Sequence, residues 1–457
     1  MDTTTPAPAR ERKIEFTNRE LTRLFVPLLL EQLLAMTVGL ADSMMVSSVG
    51  DAAISAVSLV DSISNLMIYI FSAMAAGGVA VAGQYIGRRM RDNACSAGQH
   101  LVLLLAATSL CFIALLYLFK HAVLTTVFGR IDAEVMAATD KYYTIVMASI
   151  PGIALYNGGA AIFRTMERSD VSLKVSLLMN AINVGGNALL IFGFHMDVAG
   201  VAIPTLVSRA VAAVVILALL FDERLPLHLS NRRGFRFDRR LLRNILYISI
   251  PSGMENGMFQ LGRLVLYSLI STFGTASIVA NAIGNTLGNF HVLAGMAMGL
   301  ALSTVVSQCA GAGDYAAARY YVRKLSRVCY LLTWALNLLI IVLLPLILRI
   351  YDVSPEAERA ARTVALLHGI SSMILWVPAF LIPSVLRAAG DARFTMIVSM
   401  LSMWLCRVLF AYIFGRYLDF GIIGVWCAHA LLDWSVRAIV FLLRYRGSRW
   451  TTKAIKS

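Results

Sequence analysis

Residues 27–59 read PLLLEQLLAMTVGLADSMMVSSVGDAAISAVSL, and residues 251–283 read PSGMENGMFQLGRLVLYSLISTFGTASIVANAI. A shift of 224 positions aligns Pro27 with Pro251, Glu31 with Glu255, Gly50 with Gly274 and Ala56 with Ala280. The same shift pairs Asn65 with Asn289, Gln84 with Gln308 and Gly87 with Gly311, and near the fourth apolar run of each half it becomes 223, pairing Arg164 with Arg387. So many matches at one offset mark an internal duplication.

Working outward, apolar runs of about 20 residues, the length that crosses about 30 Å of hydrocarbon as a helix, recur near 22–47, 53–82, 97–119, 135–161, 171–193 and 198–221. In the second half they recur near 243–272, 277–307, 325–348, 362–386, 394–415 and 420–443. The chain is 58% hydrophobic and 14% charged, too apolar for the surface of a soluble fold, which averages about 25% charged residues. The net charge of +14 points to topology rather than to nucleic acid, because the basic residues alternate with the runs. Arg10, Arg12, Lys13, Arg19 and Arg23 precede the first run, and Arg88, Arg89 and Arg91 follow the second. Arg164 and Arg168 follow the fourth, Arg224, Arg232, Arg233, Arg236, Arg239 and Arg240 the sixth, and Arg319, Arg323 and Lys324 the eighth. The connections after the first and seventh runs carry no Lys or Arg. This bias predicts both termini in the cytoplasm and an even number of crossings of a bacterial-type inner membrane. The expected division is a tail at 1–20, a six-helix lobe at 21–221, a cytoplasmic linker at 222–242, a second lobe at 243–445 and a tail at 446–457. No signal peptide is visible. The six cysteines form no CxxC pair, so neither a disulfide nor a metal site is expected, and no cofactor motif is present. Six spans per half predict two copies of like orientation around an axis along the membrane normal, with a cavity between them.

The motifs then resemble the multidrug and toxin extrusion (MATE) family. Residues 27–59 resemble its first helix and Ala-rich second helix, Ala82-Gly-Gln-Tyr-Ile-Gly87 and Ser307-Gln-Cys-Ala-Gly311 its loops after the second and eighth helices, and Leu386-Arg-Ala-Ala-Gly-Asp391 its turn after the tenth. Phe163-Arg-Thr-Met-Glu-Arg168 is a degraded copy of that turn, and Asn183-Val-Gly-Gly-Asn187 resembles the fifth helix. The resemblance covers about residues 20–445. It implies an all-α membrane protein of twelve transmembrane helices in two six-helix lobes flanking a V-shaped central cavity. It also implies a secondary antiporter that exports small organic, often cationic compounds in exchange for H⁺ or Na⁺, each chain being a complete transport unit in the lipid bilayer.

Asp42 is the first candidate coupling residue. A carboxylate within a membrane helix persists where it is paired, hydrated or functional, and the 224 shift places Leu266 at its counterpart. Asn183 and Asn187, four apart, share a helix face. By the resemblance Asp42, Asn183, Asn187 and Thr205 form the first-lobe cation site, while bonding between helices is the alternative use of the amides. Position 187 is Asn where many members carry Asp. Oxygen ligands suit Na⁺, and a buried carboxyl also suits H⁺; the sequence leaves the two open. In the second lobe, Phe259 and Trp376 occupy the positions where some relatives carry acids, so coupling through that lobe is not expected. Asn180, Gln260, Asn281 and Asn285 are candidate cavity residues. Glu31 and Glu255 are duplicated candidates for a proton relay or a gate between the lobes; Glu31 lies eleven residues, about 16 Å along a helix, from Asp42. Asp433 is expected to pair with Arg437 or Arg407. Competing functions are a flippase for lipid-linked oligosaccharide, favoured by Arg263 and Arg407, and a membrane-embedded enzyme, for which no clustered catalytic set is found.

Overall fold

The computed structural model describes residues 14–127, 132–229 and 235–455. Most of the predicted N-terminal tail, with Arg10, Arg12 and Lys13, lies outside the described residues, as do Arg130, Arg232, Arg233 and Lys456. The first lobe runs α1 Asn18–Ser47, α2 Asp51–Gly87, α3 Arg91–Leu118, α4 Ala133–Thr165, α5 Ser169–Gly193 and α6 Ala199–Leu219. The second runs α7 Arg239–Ser271, α8 Thr275–His291 continued by Leu293–Ala312, α9 Tyr315–Tyr351, α10 Pro355–Ala388, α11 Ala392–Tyr417 and α12 Gly421–Arg446. Eleven helices among the described residues are long and apolar enough to cross a membrane. The twelfth, α7, has the length at 33 residues but carries Glu255, Asn256, Gln260 and Arg263 along its middle.

Several helices outrun their apolar stretches, because charge ends contact with lipid without ending a helix. α1 starts at Asn18, where the Thr17 side chain accepts from the Glu20 backbone and the Glu20 carboxylate accepts from the Thr17 backbone at 2.7 Å, a reciprocal cap. α9 begins at Tyr315 under an Asp314 cap and carries Arg319, Arg323 and Lys324 as helical residues. The prolines act locally. α4 breaks at Ser149 with Pro151 opening its second segment, and Pro378 sits within a widened stretch of α10, Ser372–Leu381, where looser turns accommodate its missing N–H. A short helix, Lys120–Val127, follows α3.

The duplication is visible in the backbone. α2 and α8 are each entered through a glycine of positive φ, Gly50 at 128° and Gly274 at 91°, a conformation that side chains with Cβ avoid. At the end of the molecule that carries the termini, the lobes meet reciprocally: a Cβ on Gly87 would overlap the Gln308 carbonyl, and one on Gly311 would overlap that of Gln84. Around this contact the Gln84 amide donates to the Ala388 carbonyl at 3.0 Å, while the Gln308 amide donates to the Thr165 carbonyl and the Glu167 carboxylate, both at 3.1 Å. Burial in the seam pushes the Glu167 carboxyl above its ordinary range, opposed by the Gln308 donor.

The terminal segments reinforce the same end. Phe16, Leu21, Leu24 and Leu28 pack in the core of the second lobe. Residues 446–457 are not a free tail where described: Trp450 is fully buried and the Ile455 backbone donates to Gln84 at 2.8 Å. The linker is likewise docked, with Leu225 and Leu227 buried and Arg91 donating to the carbonyls of Glu223, Leu225 and Pro226. On the far side of Asn256, which donates to the Tyr69 carbonyl at 3.4 Å, no hydrogen bond joins the lobes among the described residues. The lobes are thus sealed at one end only.

Replacing Gly87 or Gly311 with Val forces the sealed backbones apart while leaving each lobe's own packing in place. Spin labels at positions 89 and 319, both exposed, are expected to show longer distances in either variant than in the parent chain.

Candidate functional site

α5 sets the first polar cluster. Asn183 and Asn187 are buried on its inner face, at 7% and 0% exposure. The Asn187 amide donates to the Asp42 carboxylate at 2.9 Å. The Asn183 amide Nδ2 donates to both Asp42 oxygens at 3.1 Å, and its Oδ1 accepts from the Thr205 hydroxyl at 3.1 Å. These donors suit an ionised carboxylate. Asp42, Asn183, Asn187 and Thr205 are therefore brought together from α1, α5 and α6. Asn180 is not among them, since its amide folds back onto the Ser176 carbonyl at 2.9 Å.

Beside this cluster lies a second that sequence reasoning missed. Tyr142 donates to Asp61 at 3.4 Å, and Arg209 donates to Ser149 at 2.8 Å and Ser64 at 3.5 Å. The charges of Asp61 and Arg209 act on Asp42. Asp61 and Arg209 are ionisable residues inside apolar runs, the same signal that singled out Asp42.

The twin glutamates each stay within their own lobe, which runs against a gate across the seam. Glu31 accepts from Tyr156 and Ser172, both at 3.0 Å. Glu255 is paired with Arg387 at 3.1 Å and Arg437 at 3.8 Å. The expected pairing of Asp433 is not formed: its carboxylate accepts from Ser402 and makes no ion pair with Arg407 or Arg437. Arg437, 1% exposed, instead lies against the rings of Phe259, Phe380 and Phe441, where aromatic faces supply part of the attraction that water would.

The second lobe, with Tyr69 of the first, borders a cavity of about 220 Å³ lined by Gln260, Asn285, Asn289, Phe259 and Trp376 among others, and an adjoining recess of about 30 Å³ is bordered by Asn281 and Leu266. Arg263, Asn285, Arg407, Trp426 and His429 line both. Asn281 is held by Trp426, whose indole donates to it at 3.2 Å, and Asn285 donates to the Asn281 carbonyl at 2.9 Å. Gln260, Asn281 and Asn285 thus border the cavity, and Asn180 does not.

A duplicated, twelve-helix membrane fold with polar clusters inside each lobe and a cavity open toward one end defines a multi-pass transporter. The chain belongs to the MatE family, whose profile matches residues 27–189 and again 251–413, the same offset as the sequence repeat. It is 28% identical to the uncharacterized transporter YisQ of Bacillus subtilis over 446 residues, 94% of each chain. It is 22% identical to the probable multidrug resistance protein NorM of Thermotoga maritima over 96% of this chain and 94% of that one. Its fold matches the outward-facing conformation of a multidrug resistance MATE family transporter of the MOP superfamily, with a TM-score of 0.86, 20% identity and coverage of 95% and 96%.

The two glutamates differ in what they hold. Glu255→Gln strips a buried guanidinium of its counter-charge and is expected to cost about 3–5 kcal/mol, whereas Glu31→Gln keeps an acceptor for Tyr156 and is expected to cost about 1 kcal/mol. Thermal unfolding in detergent, comparing each variant with the parent, checks the ranking.

Proposed function

We propose that this protein is a secondary active exporter of small organic molecules, driven by inward flow of H⁺ or Na⁺ through the Asp42 site. The supporting observation is the meeting of Asp42, Asn183, Asn187 and Thr205 from three helices, with two amides donating to the carboxylate. Ion arrival competes with those amide donors, and the site joins α1, whose first turns pack in the opposite lobe, to α5 and α6. A change of charge at Asp42 is therefore felt by the helix that crosses the seam. With the basic end in the cytoplasm of a bacterial inner membrane, both termini are cytoplasmic and the sealed seam is the inner gate. The chain then stands open outward, and release of the seam completes alternating access by a single chain. Relatives named for multidrug resistance support organic cargo. A second reading, a flippase, is favoured by Arg263 and Arg407 in the cavity; it would move a fluorescent lipid between leaflets independently of Asp42.

Proteoliposomes under separate Na⁺ and H⁺ gradients test the coupling. Asp42→Asn is expected to reduce gradient-driven export at least about tenfold under whichever ion drives the parent. Full-rate export by the variant under both gradients rejects the assignment.

A further inference from the structure

The duplication allows the ion site of the first lobe to be located in the second. Burial fixes the register: Asn183, Asn187 and Ile191 are buried along α5, and Arg407, Ala411 and Gly415, each 224 positions on, are buried along α11. Between α6 and α12 the same offset pairs Gly200 with Gly424 and Val201 with Val425. Asp42 therefore corresponds to Leu266, Asn183 to Arg407 and Thr205 to His429. These three counterparts line a single recess.

The chemistry of that recess is inverted. Its acid has become a leucine and its amide a guanidinium, and Arg263 joins from α7, where the first lobe has Gly39. No Asp or Glu lines either the recess or the larger cavity it opens into. Arg407 is 9% exposed, its Nε is buried without a partner, and neither Arg407 nor Arg263 makes a hydrogen bond or ion pair among the described residues. Asp433 lies near enough to act on Arg407, as does the like charge of Arg263, yet Asp433 spends its bond on Ser402. Two guanidiniums facing one cavity without an acid between them are unfavourable unless an anion completes them. Trp376, Phe380, Trp426 and Trp434 give the wall aromatic faces, and Asn256, Gln260, Asn285 and Asn289 give it neutral amides.

We propose that the second-lobe cavity is the cargo site and that its cargo is an aromatic or apolar organic anion, whose carboxylate, sulfonate or phosphate head sits between Arg263 and Arg407. This rests on the export reading above and names its substrate class, departing from the cationic cargo that the family resemblance implies. It has an electrical consequence. Export of a monovalent anion against entry of one H⁺ or Na⁺ moves two elementary charges per cycle, so an inside-negative potential accelerates it; exchange of a monovalent cation for one ion moves none.

Binding is measured apart from transport, using the chain in phosphatidylcholine nanodiscs with 2-naphthalenesulfonate as the anionic probe and ethidium as the cationic one. The cavity tryptophans report occupancy by quenching. Saturable quenching by the naphthalenesulfonate is expected, weakened at least about tenfold in Arg263→Gln and in Arg407→Gln and largely kept in Arg263→Lys. Arg263 is only half-buried, so its variants remain informative if Arg407→Gln fails to fold. Saturable binding of ethidium but not of the anion, or anion binding indifferent to Arg263, overturns the proposal. Displacement of the probe by phosphatidylglycerol in the disc identifies the head group as a lipid's, and persistence identifies a soluble anion; both outcomes sustain the anion site. In proteoliposomes, anion efflux is expected to quicken under an inside-negative potential. Arginine-dependent binding without transport under any gradient rejects the export reading and leaves the anion site standing.

Discussion

Hydrocarbon offers a polar side chain no partner, so every ionisable group within the twelve helices must be met by the protein or by what the protein carries. That constraint accounts for much of the internal arrangement. Asp42 is met by Asn187, Glu31 by Tyr156 and Ser172, and Glu255 by Arg387 and Arg437. These contacts tie α1 to α4 and, at two points, to α5, and tie α7 to α10 and α12, so the polar residues specify which helices touch while the apolar ones supply area. His291 and His368 follow the same rule, with their Nδ1 atoms 3.0 Å apart and the Asn337 amide donating to the His291 carbonyl at 3.0 Å.

The two-fold relation adds a second constraint. Residues on the axis meet their own copies, and the glycine of each lobe leaves room for the glutamine carbonyl of the other. Because Gly87 and Gly311 lack side chains, backbone meets backbone at this point, while the Gln84 and Gln308 side chains cross to the opposite lobe on either side of it. The docked C-terminal segment and the first turns of α1 then span the seam from either side.

Symmetry in the backbone is accompanied by asymmetry in charge. One lobe places a carboxylate among amides and a hydroxyl; the other places arginines among indoles at the equivalent depth. Under the proposed function, this separates the driving ion from its cargo by lobe, so that each meets a site of opposite sign. Competition between ion and substrate for one carboxylate is then unnecessary, and coupling passes through the seam and α1. The Asp61, Tyr142 and Arg209 cluster beside Asp42 adds one further carboxylate and one guanidinium, so charges of both signs act on Asp42.

The sequence alone determined the all-helical membrane fold and the duplication, because apolar run length, loop charge and a repeat at fixed offset are properties of the chain itself; Asp42, Asn183 and Asn187 stood out as polar residues inside apolar runs, and Thr205 joined them only through the family resemblance. Glu31 and Glu255 were also legible as a pair, but their roles were not. A one-dimensional pattern shows that two acids are equivalent without showing which hydroxyl or guanidinium reaches each. Only the tertiary structure decided that both are held within their own lobes, that Asp433 bonds Ser402, that Asn180 turns away, and that the last residues seal the seam. It also decided that Arg407 stands where Asn183 stands in the other lobe: α11 carries an extra residue through its widened turns, which shifts the register, and burial in three dimensions, not spacing, restores it.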